Sequence, residues 1–320
     1  MRRLLRYAVR LLIALVVFAA AGLAYAHYSI RQERAPLPSV EAIIAAAEAG
    51  GDLPVRLSVI NTASQSMPRR SVLDPGADPR PNEPFVMSHP AFVLEWADGR
   101  ALLVDVGMTS EQAVQFGKPV EWVAGAGPTE AHGSAAEQLG AAAPRVRGVV
   151  FTHTHTDHVG GMAALCAAAG HPVPAFMTRA QAERPNYTTR PGLTALAEAG
   201  CAQPTALGGG ALMPVPGFPG VQVIDAGGHT PGSQIILAFV QDADGVRRYA
   251  FTGDIVNNVD GIREDVPKPL LYRTVIVPED GPRQAELRGF LKRLHDEANF
   301  TLLVAHDQRS IEVSGVPAFE

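Results

Sequence analysis

The sequence is poor in the residues that usually announce a hydrolase or a structural metal site. It has two cysteines, Cys166 and Cys201, in 320 residues. Neither belongs to a Cys-x-x-Cys pair, which argues against a structural zinc site. The two read as buried free thiols; a bridge is the alternative, and needs Cα atoms within ~7 Å of each other. No Gly-x-Ser-x-Gly elbow occurs, so that signature of an activated serine is missing. There is no block of like charge, repeat or low-complexity run. What remains is a chain with 47% hydrophobic residues, enough to pack one large domain or two small ones.

Acidic residues are absent from the start of the chain, where Arg2, Arg3, Arg6 and Arg10 stand alone. No formally charged side chain then follows from Leu11 to Ile30. Twenty residues in a helix rise about 30 Å, enough to cross a bilayer. Residues 1–30 therefore read as an uncleaved membrane anchor. A secretory signal, with Ala24-Tyr25-Ala26 as its cleavage site, is the alternative. Either reading keeps the arginines cytoplasmic and puts the rest of the chain outside, periplasmic or secreted. Without residues 1–26 the chain carries 23 basic against 32 acidic side chains, a formal charge of −9. An acidic body is a poor partner for polyanions, so no nucleic-acid partner is expected.

Residues 31–54 read as a linker and a short helix: an irregular tether over Arg31–Pro38, then a helix over Val40–Ala49, capped by Ser39 and stopped by Gly50-Gly51. The main folded domain is expected over 55–320. Val55–Asn61 begins its first strand, and Ala91–Trp96 and Ala101–Val106 flank a turn at 97–100. Val146–Phe151 is a nearly continuous apolar run. Met162–Ala169 is a small-residue helix. Val221–Ala226, Gln234–Val240 and Val246–Thr252 are strands, residues 282–298 a helix, and Phe300–Ala305 a last buried strand. Strand-rich halves with interspersed helices suggest two sheets packed face to face with helices outside.

Residues 153–158 read His-Thr-His-Thr-Asp-His, and His229, Asp254 and His306 each follow an apolar strand. In extended chain His153 and His155 share a face and can bind one cation. Four ligands in six residues are too many for a single tetrahedral zinc that must also hold a water. Two divalent metals resolve the excess, with Asp254 the natural carboxylate bridge. Zinc suits this mixture of imidazole and carboxylate; iron or manganese would also fit. His27, His89, His132, His171 and His295 match no motif and read as surface or packing residues.

Together with Gly228-His229-Thr230-Pro231-Gly232, Gly253-Asp254 and Ala305-His306-Asp307, the cluster resembles the metallo-β-lactamase superfamily from about Val55 to Asp307. The resemblance implies an αββα sandwich, here preceded by an N-terminal hydrophobic helix. It implies that His153, His155 and His229 hold one metal, that Asp157, His158 and His306 hold the other, and that Asp254 bridges. Asp105, closing Leu102-Leu103-Val104-Asp105, would support the ligands. A hydroxide held between the metals would attack an ester-like carbonyl, with Asp157 catalytic in orienting it and passing its proton to the leaving group.

The motifs look closest to lactonases of the quorum-sensing type and to glyoxalase II-like hydrolases. A small-molecule carboxylic ester or lactone is therefore the expected substrate. Where such lactonases commonly carry a tyrosine, three residues after the bridging aspartate, this chain has Asn257. A hydroxyacylglutathione-type thioesterase is the enzymatic alternative, and a metal-bearing sensor without turnover is the alternative outside enzymes. Arg288, Lys292 and Arg293 read as a solvated helix face rather than a glutathione site. Phe176, Met177, Tyr187 and Leu193, in the long stretch 176–215, are candidates either for pocket lining or for covering the sheet.

Overall fold

The computed structural model describes residues 2–31, 35–48 and 51–320. The chain begins with a 30-residue helix, Arg2–Arg31 (α1), long and apolar enough to cross a membrane. Residues 32–34 of the expected tether, and Ala49 and Gly50 at the expected helix end, lie outside the described residues. The short helix forms over Val40–Glu48 (α2), and Ser39 Oγ accepts a hydrogen bond from Ala42 N at 3.2 Å, as its capping position predicts.

Two sheets follow. The first contains Arg56–Pro68 (β1), Pro84–Glu95 (β2), Ala101–Val104 (β3), Thr129–Ala131 (β4), Val146–Val150 (β5), Val173–Thr178 (β6) and Ala202–Leu207 (β7), in the order β4-β1-β2-β3-β5-β6-β7. The second contains Met213–Pro214 (β8), Val221–Asp225 (β9), Gln234–Asp242 (β10), Gly245–Gly253 (β11) and Phe300–Val304 (β12), in the order β12-β11-β10-β9-β8. The expected hairpins form, β2 with β3 and β10 with β11.

Side-chain parity explains why the sheets stack. Leu102 and Val104 of β3, Val221 and Val223 of β9, and Ile236 and Ala238 of β10 point into one cluster between the sheets. Their neighbours Leu103, Ile224, Ile235 and Leu237 point to the outer faces. Both faces of these three strands are covered, so they read as nearly continuous apolar runs rather than alternating ones. Helix Gly281–Ala298 covers the second sheet through Leu287, Phe290, Leu291 and Leu294, with Ile43 of α2 beside them. Helix Met162–Ala169 covers the first through Met162 and Leu165. The result is the expected αββα sandwich with an apolar helix in front.

Two expectations, on the cysteines and on Arg288, are corrected, and one left open is decided. Cys166 and Cys201 are joined by a disulfide, with Cα atoms 5.4 Å apart, because β7 begins beside helix Met162–Ala169. Phe176 and Met177 belong to β6, which the sequence did not announce; they and Leu193 cover the sheet rather than line a pocket. Tyr187 is exposed and its hydroxyl donates to Val275 O and Ile276 O. Arg288 is buried rather than solvated, and its Nε donates to Asp265 Oδ1 at 2.8 Å.

The disulfide spans a sequence separation of 35. On chain-entropy grounds it stabilises the fold by on the order of 3 kcal/mol. Replacing both cysteines with serine is expected to lower the melting temperature by about 5–10 °C. Thermal unfolding followed by circular dichroism checks this; an unchanged midpoint, insensitive to reductant, would count against the bridge in solution.

Candidate metal centre

Strand direction brings the candidate residues to one edge. β3 and β5 run parallel, as do β11 and β12, and two antiparallel steps through β10 align β9 with β11. Asp105, His153, His229, Asp254 and His306 all follow the carboxyl ends of these strands. The sheets are also tied there, where Gln234 N donates to Thr152 O at 2.7 Å. Gly253 has φ +51°, and a Cβ on it would lie 2.8 Å from Thr152 Cβ. Only glycine lets the Asp254 backbone come this close to the histidine loop.

All seven sequence-predicted residues converge. His153, His155, His229 and Asp254 present ligand atoms within 4.8 Å of one another, and so do His158, Asp254 and His306. His153 Nε2 faces His155 Nδ1 at 3.0 Å and His158 Nε2 faces His306 Nε2 at 3.4 Å. Two nitrogens on one tetrahedral cation would stand ~3.3 Å apart. Asp254 lies between the groups: Oδ1 is 3.3 Å from His158 Nε2, both oxygens are 3.1 Å from His306 Nε2, and Oδ2 is also 3.6 Å from His229 Nε2 and 3.9 Å from His153 Nε2. Asp157 Oδ2 is 3.4 Å from His306 Nε2 and 3.8 Å from His158 Nε2.

Among the described residues, His229 Nε2 and Asp254 Oδ1 are buried with no hydrogen-bond partner. Leaving such atoms bare costs about 1–3 kcal/mol each. A cation at each group would satisfy them, so the residues present fit metal ions.

Each ligand is held from behind. Asp105, at φ 57°, accepts from Thr152 N at 2.8 Å and stands 2.8 Å from His158 Nδ1, the supporting place expected for it. Ser88 O stands 2.8 Å from His306 Nδ1, and Thr188 Oγ1 2.9 Å from His155 Nε2. Each contact occupies the nitrogen turned away from the centre and leaves the other free.

Three residues here escaped the sequence reading. Glu279 Oε1 stands 2.7 Å from His229 Nδ1, and Lys268 Nζ donates to the same oxygen at 2.7 Å. Lys268 also donates to the main-chain oxygen of Asp254, joining both ligand groups through one buried ion pair. Neither residue lies in a motif, and no spacing marks them. His89, expected at the surface or in packing, is buried with Nδ1 3.4 Å from Asp157 Oδ2 and its ring against His306.

Electrostatics divide the histidines. Burial drives His153, His155 and His229 below the ordinary histidine value, His155 to about 3, so they stand neutral with free lone pairs. Burial also opposes charge on His158, yet Asp105, Asp157 and Asp254 hold it well above that value. His306 is likewise raised against its burial by Asp254 and Asp157. Burial works against the Asp254 carboxylate, which His306, His153 and His158 nonetheless hold well below the carboxylate range.

Without a cation, His158 and His306 therefore keep protons to higher pH than a free histidine does. Metal must displace those protons, so affinity should rise with pH through neutrality and uptake should release protons. Calorimetric titration of zinc in buffers of different ionisation enthalpy measures that release; none at pH 7 would contradict the charge assignment. Glu279→Gln should weaken zinc binding by about 10–100-fold, as loss of a ligand's orienting carboxylate does, measured by competition with a chromophoric chelator. Unchanged affinity would leave Glu279 a structural ion pair only.

A cavity of about 470 Å³ opens onto the centre. His155, Asp157, Asp254 and His306 form its polar floor; Met67, Met87, Phe116, Val120, Val123 and Ile276 are among its apolar walls. Tyr272 and Asn257 also line it.

No curated protein matches the sequence. Among solved structures, an N-acyl homoserine lactone hydrolase with N-hexanoyl-L-homoserine at its catalytic metal center aligns at TM-score 0.58 and 18% identity, covering 82% of this chain and 96% of that one. The AiiA protein of B. thuringiensis, in a variant with N-decanoyl-L-homoserine at its active site, aligns at TM-score 0.58 and 19% identity over 82% and 96%. A probable metal-dependent hydrolase from Staphylococcus aureus aligns at 0.53 and 14% over 80% and 91%. The family model of the metallo-beta-lactamase superfamily matches residues 85–306, more than half of the sequence, and the chain belongs to that superfamily.

Proposed function

We propose that the protein is a dinuclear metal-dependent hydrolase of carboxylic ester or lactone bonds. The observation that carries this reading is the Asp254 carboxylate, within 3.9 Å of His153, His158, His229 and His306, at the foot of an apolar cavity. On this reading His153, His155 and His229 hold one cation, His158, His306 and Asp157 the other, and Asp254 bridges them. Two divalent cations there would supply ionised water at neutral pH and polarise the carbonyl oxygen.

The chain's own groups do the rest. Asp157 stays ionised despite its burial, held so by His158, His89 and His306, and so can orient the attacking water by accepting a hydrogen bond from it. The water's proton passes by way of Asp157 to the departing alkoxide; water has added across the acyl C–O bond, leaving an alcohol and a carboxylic acid, which gives its own proton to solvent at neutral pH. Tyr272 enters the cavity from a turn far along the chain, beside Asn257, the position where lactonases commonly carry their tyrosine. Burial and the charges of Asp254, Glu279 and Asp157 push its phenol well above the usual value, so it stays a hydrogen-bond donor for the substrate's carbonyl oxygen.

The apolar walls favour a substrate with a hydrocarbon part. A glutathione thioester is less suited, because Arg288 is committed to Asp265 and Lys292 to Asp296, both outside the cavity. Catalysis over 55–320, outside the cytoplasm, agrees with a disulfide, which persists in oxidising compartments.

A panel of lactone, aryl ester, thioester, cephalosporin and phosphodiester probes on the zinc-loaded protein tests the reaction class. Ester or lactone turnover is expected, and silence on every probe would favour a metal-bearing sensor. Asp254→Ala should abolish turnover and reduce metal content from near two ions per chain. Tyr272→Phe should keep the metal and lose about tenfold in kcat/KM on the best substrate, the worth of one hydrogen bond to a developing charge. An unaffected kcat/KM would remove the phenol from the mechanism.

A further inference from the structure

The walls of the cavity do not end at its mouth. Val123 and Ile276 line it and are also exposed, and around them Trp122, Leu270, Leu271 and Val275 stand in solvent, Trp122 at 85%. These residues come from two places, the end of helix Ser110–Ala124 (α3) and the segment 270–276 that carries Tyr272. An apolar patch of this kind around a binding site marks a surface that meets protein or lipid.

Helix α1 decides between them. Its last turns are docked on the same segment: His27 Nε2 stands 2.9 Å from Thr274 O, His27 Nδ1 3.3 Å from Glu279 O, and Ala26 and Ile30 are buried. The uncharged stretch Leu11–Ile30 contains those docked residues, so no polar spacer separates a membrane span from the body. Tyrosines mark the level. Tyr7 lies near one end of α1 and Tyr25 and Tyr28 near the other, all exposed. From Tyr7 to Tyr25 the helix rises ~27 Å, close to the hydrocarbon thickness, and tyrosines gather at the two membrane interfaces. His27 lies between Tyr25 and Tyr28, so the segment it grips sits at the interface itself. Lys268, Tyr272 and Glu279 thus connect the metal centre to the part of the chain that meets the lipid.

We propose that the mouth of the cavity rests on the bilayer surface, with Trp122, Leu270 and Leu271 dipping into it, and that the substrate is a long-chain acyl ester or lactone taken directly from the membrane. The acidic body makes the contact an apolar one rather than an attraction to anionic headgroups. The membrane seat rests on residues 1–30 being the retained anchor that the sequence suggests, and the substrate class on the hydrolase reading above.

Two measurements on the full chain in phosphatidylcholine nanodiscs test it. The protein has two tryptophans, and Trp96 is buried at 2% exposure in the core, so quenching by lipids brominated on their acyl chains reports Trp122. Strong quenching that disappears in Trp122→Phe is expected. Emission typical of water, or blue-shifted emission that bromine does not quench, would overturn the membrane seat, the latter pointing to a protein contact. Separately, Leu270→Glu with Leu271→Glu should slow hydrolysis of p-nitrophenyl palmitate in the bilayer by about tenfold while leaving water-soluble p-nitrophenyl acetate unchanged. Equal effects on both esters would overturn direct delivery from the membrane. Failure to hydrolyse either ester would sink the hydrolase reading and leave the quenching result to judge the seat.

Discussion

The centre is built on the cost of burying charge. Asp105, Asp157, Asp254 and Glu279 are carboxylates with almost no access to water, crowded with His153, His158, His229 and His306. Burial alone would push Asp157, Asp254 and Glu279 toward neutrality; together, carboxylates hold protons on His158 and His306, and imidazoles keep Asp254 ionised. The arrangement is stable only if its members are placed within a few ångströms of one another, and two rigid sheets meeting at their carboxyl ends provide that placement.

The same requirement shapes what surrounds the ligands. His158, His229 and His306 each have one ring nitrogen occupied by a fixed oxygen, from Asp105, Glu279 and Ser88. Lys268 balances Glu279 and reaches the backbone of Asp254, so the support of one ligand group is mechanically joined to the other. The floor of the cavity is polar and its walls are hydrocarbon, the contrast from which the proposed ester or lactone substrate was argued. The segment that supplies Tyr272 also receives the end of α1, so a wall of the cavity and attachment of the N-terminal helix converge on a few turns of chain.

The local sequence was enough for the seven candidate ligands and for most strands bearing them, because a histidine cluster after an apolar run reports both chemistry and position. Helix Met162–Ala169 was legible to the residue, and the long helix began one residue earlier than read. Strands β6 and β7 were not legible: Val173–Thr178 contains a proline, and Ala202–Leu207 is a largely exposed edge strand with little apolar pattern. Arg288 looked solvated because helical spacing alone does not reveal Asp265 waiting on another element.

By itself, then, the sequence determined the chemistry of the ligands, their order and the superfamily they belong to, since these depend on residue type at short spacing. Tertiary structure alone decided the contacts between distant segments. It paired Cys166 with Cys201, brought Glu279 and Lys268 behind His229, placed His89 beside Asp157 and Tyr272 beside Asn257, and laid His27 against Thr274. None of these has a local signature, because each is set by how two elements far apart in the chain are held by the core between them.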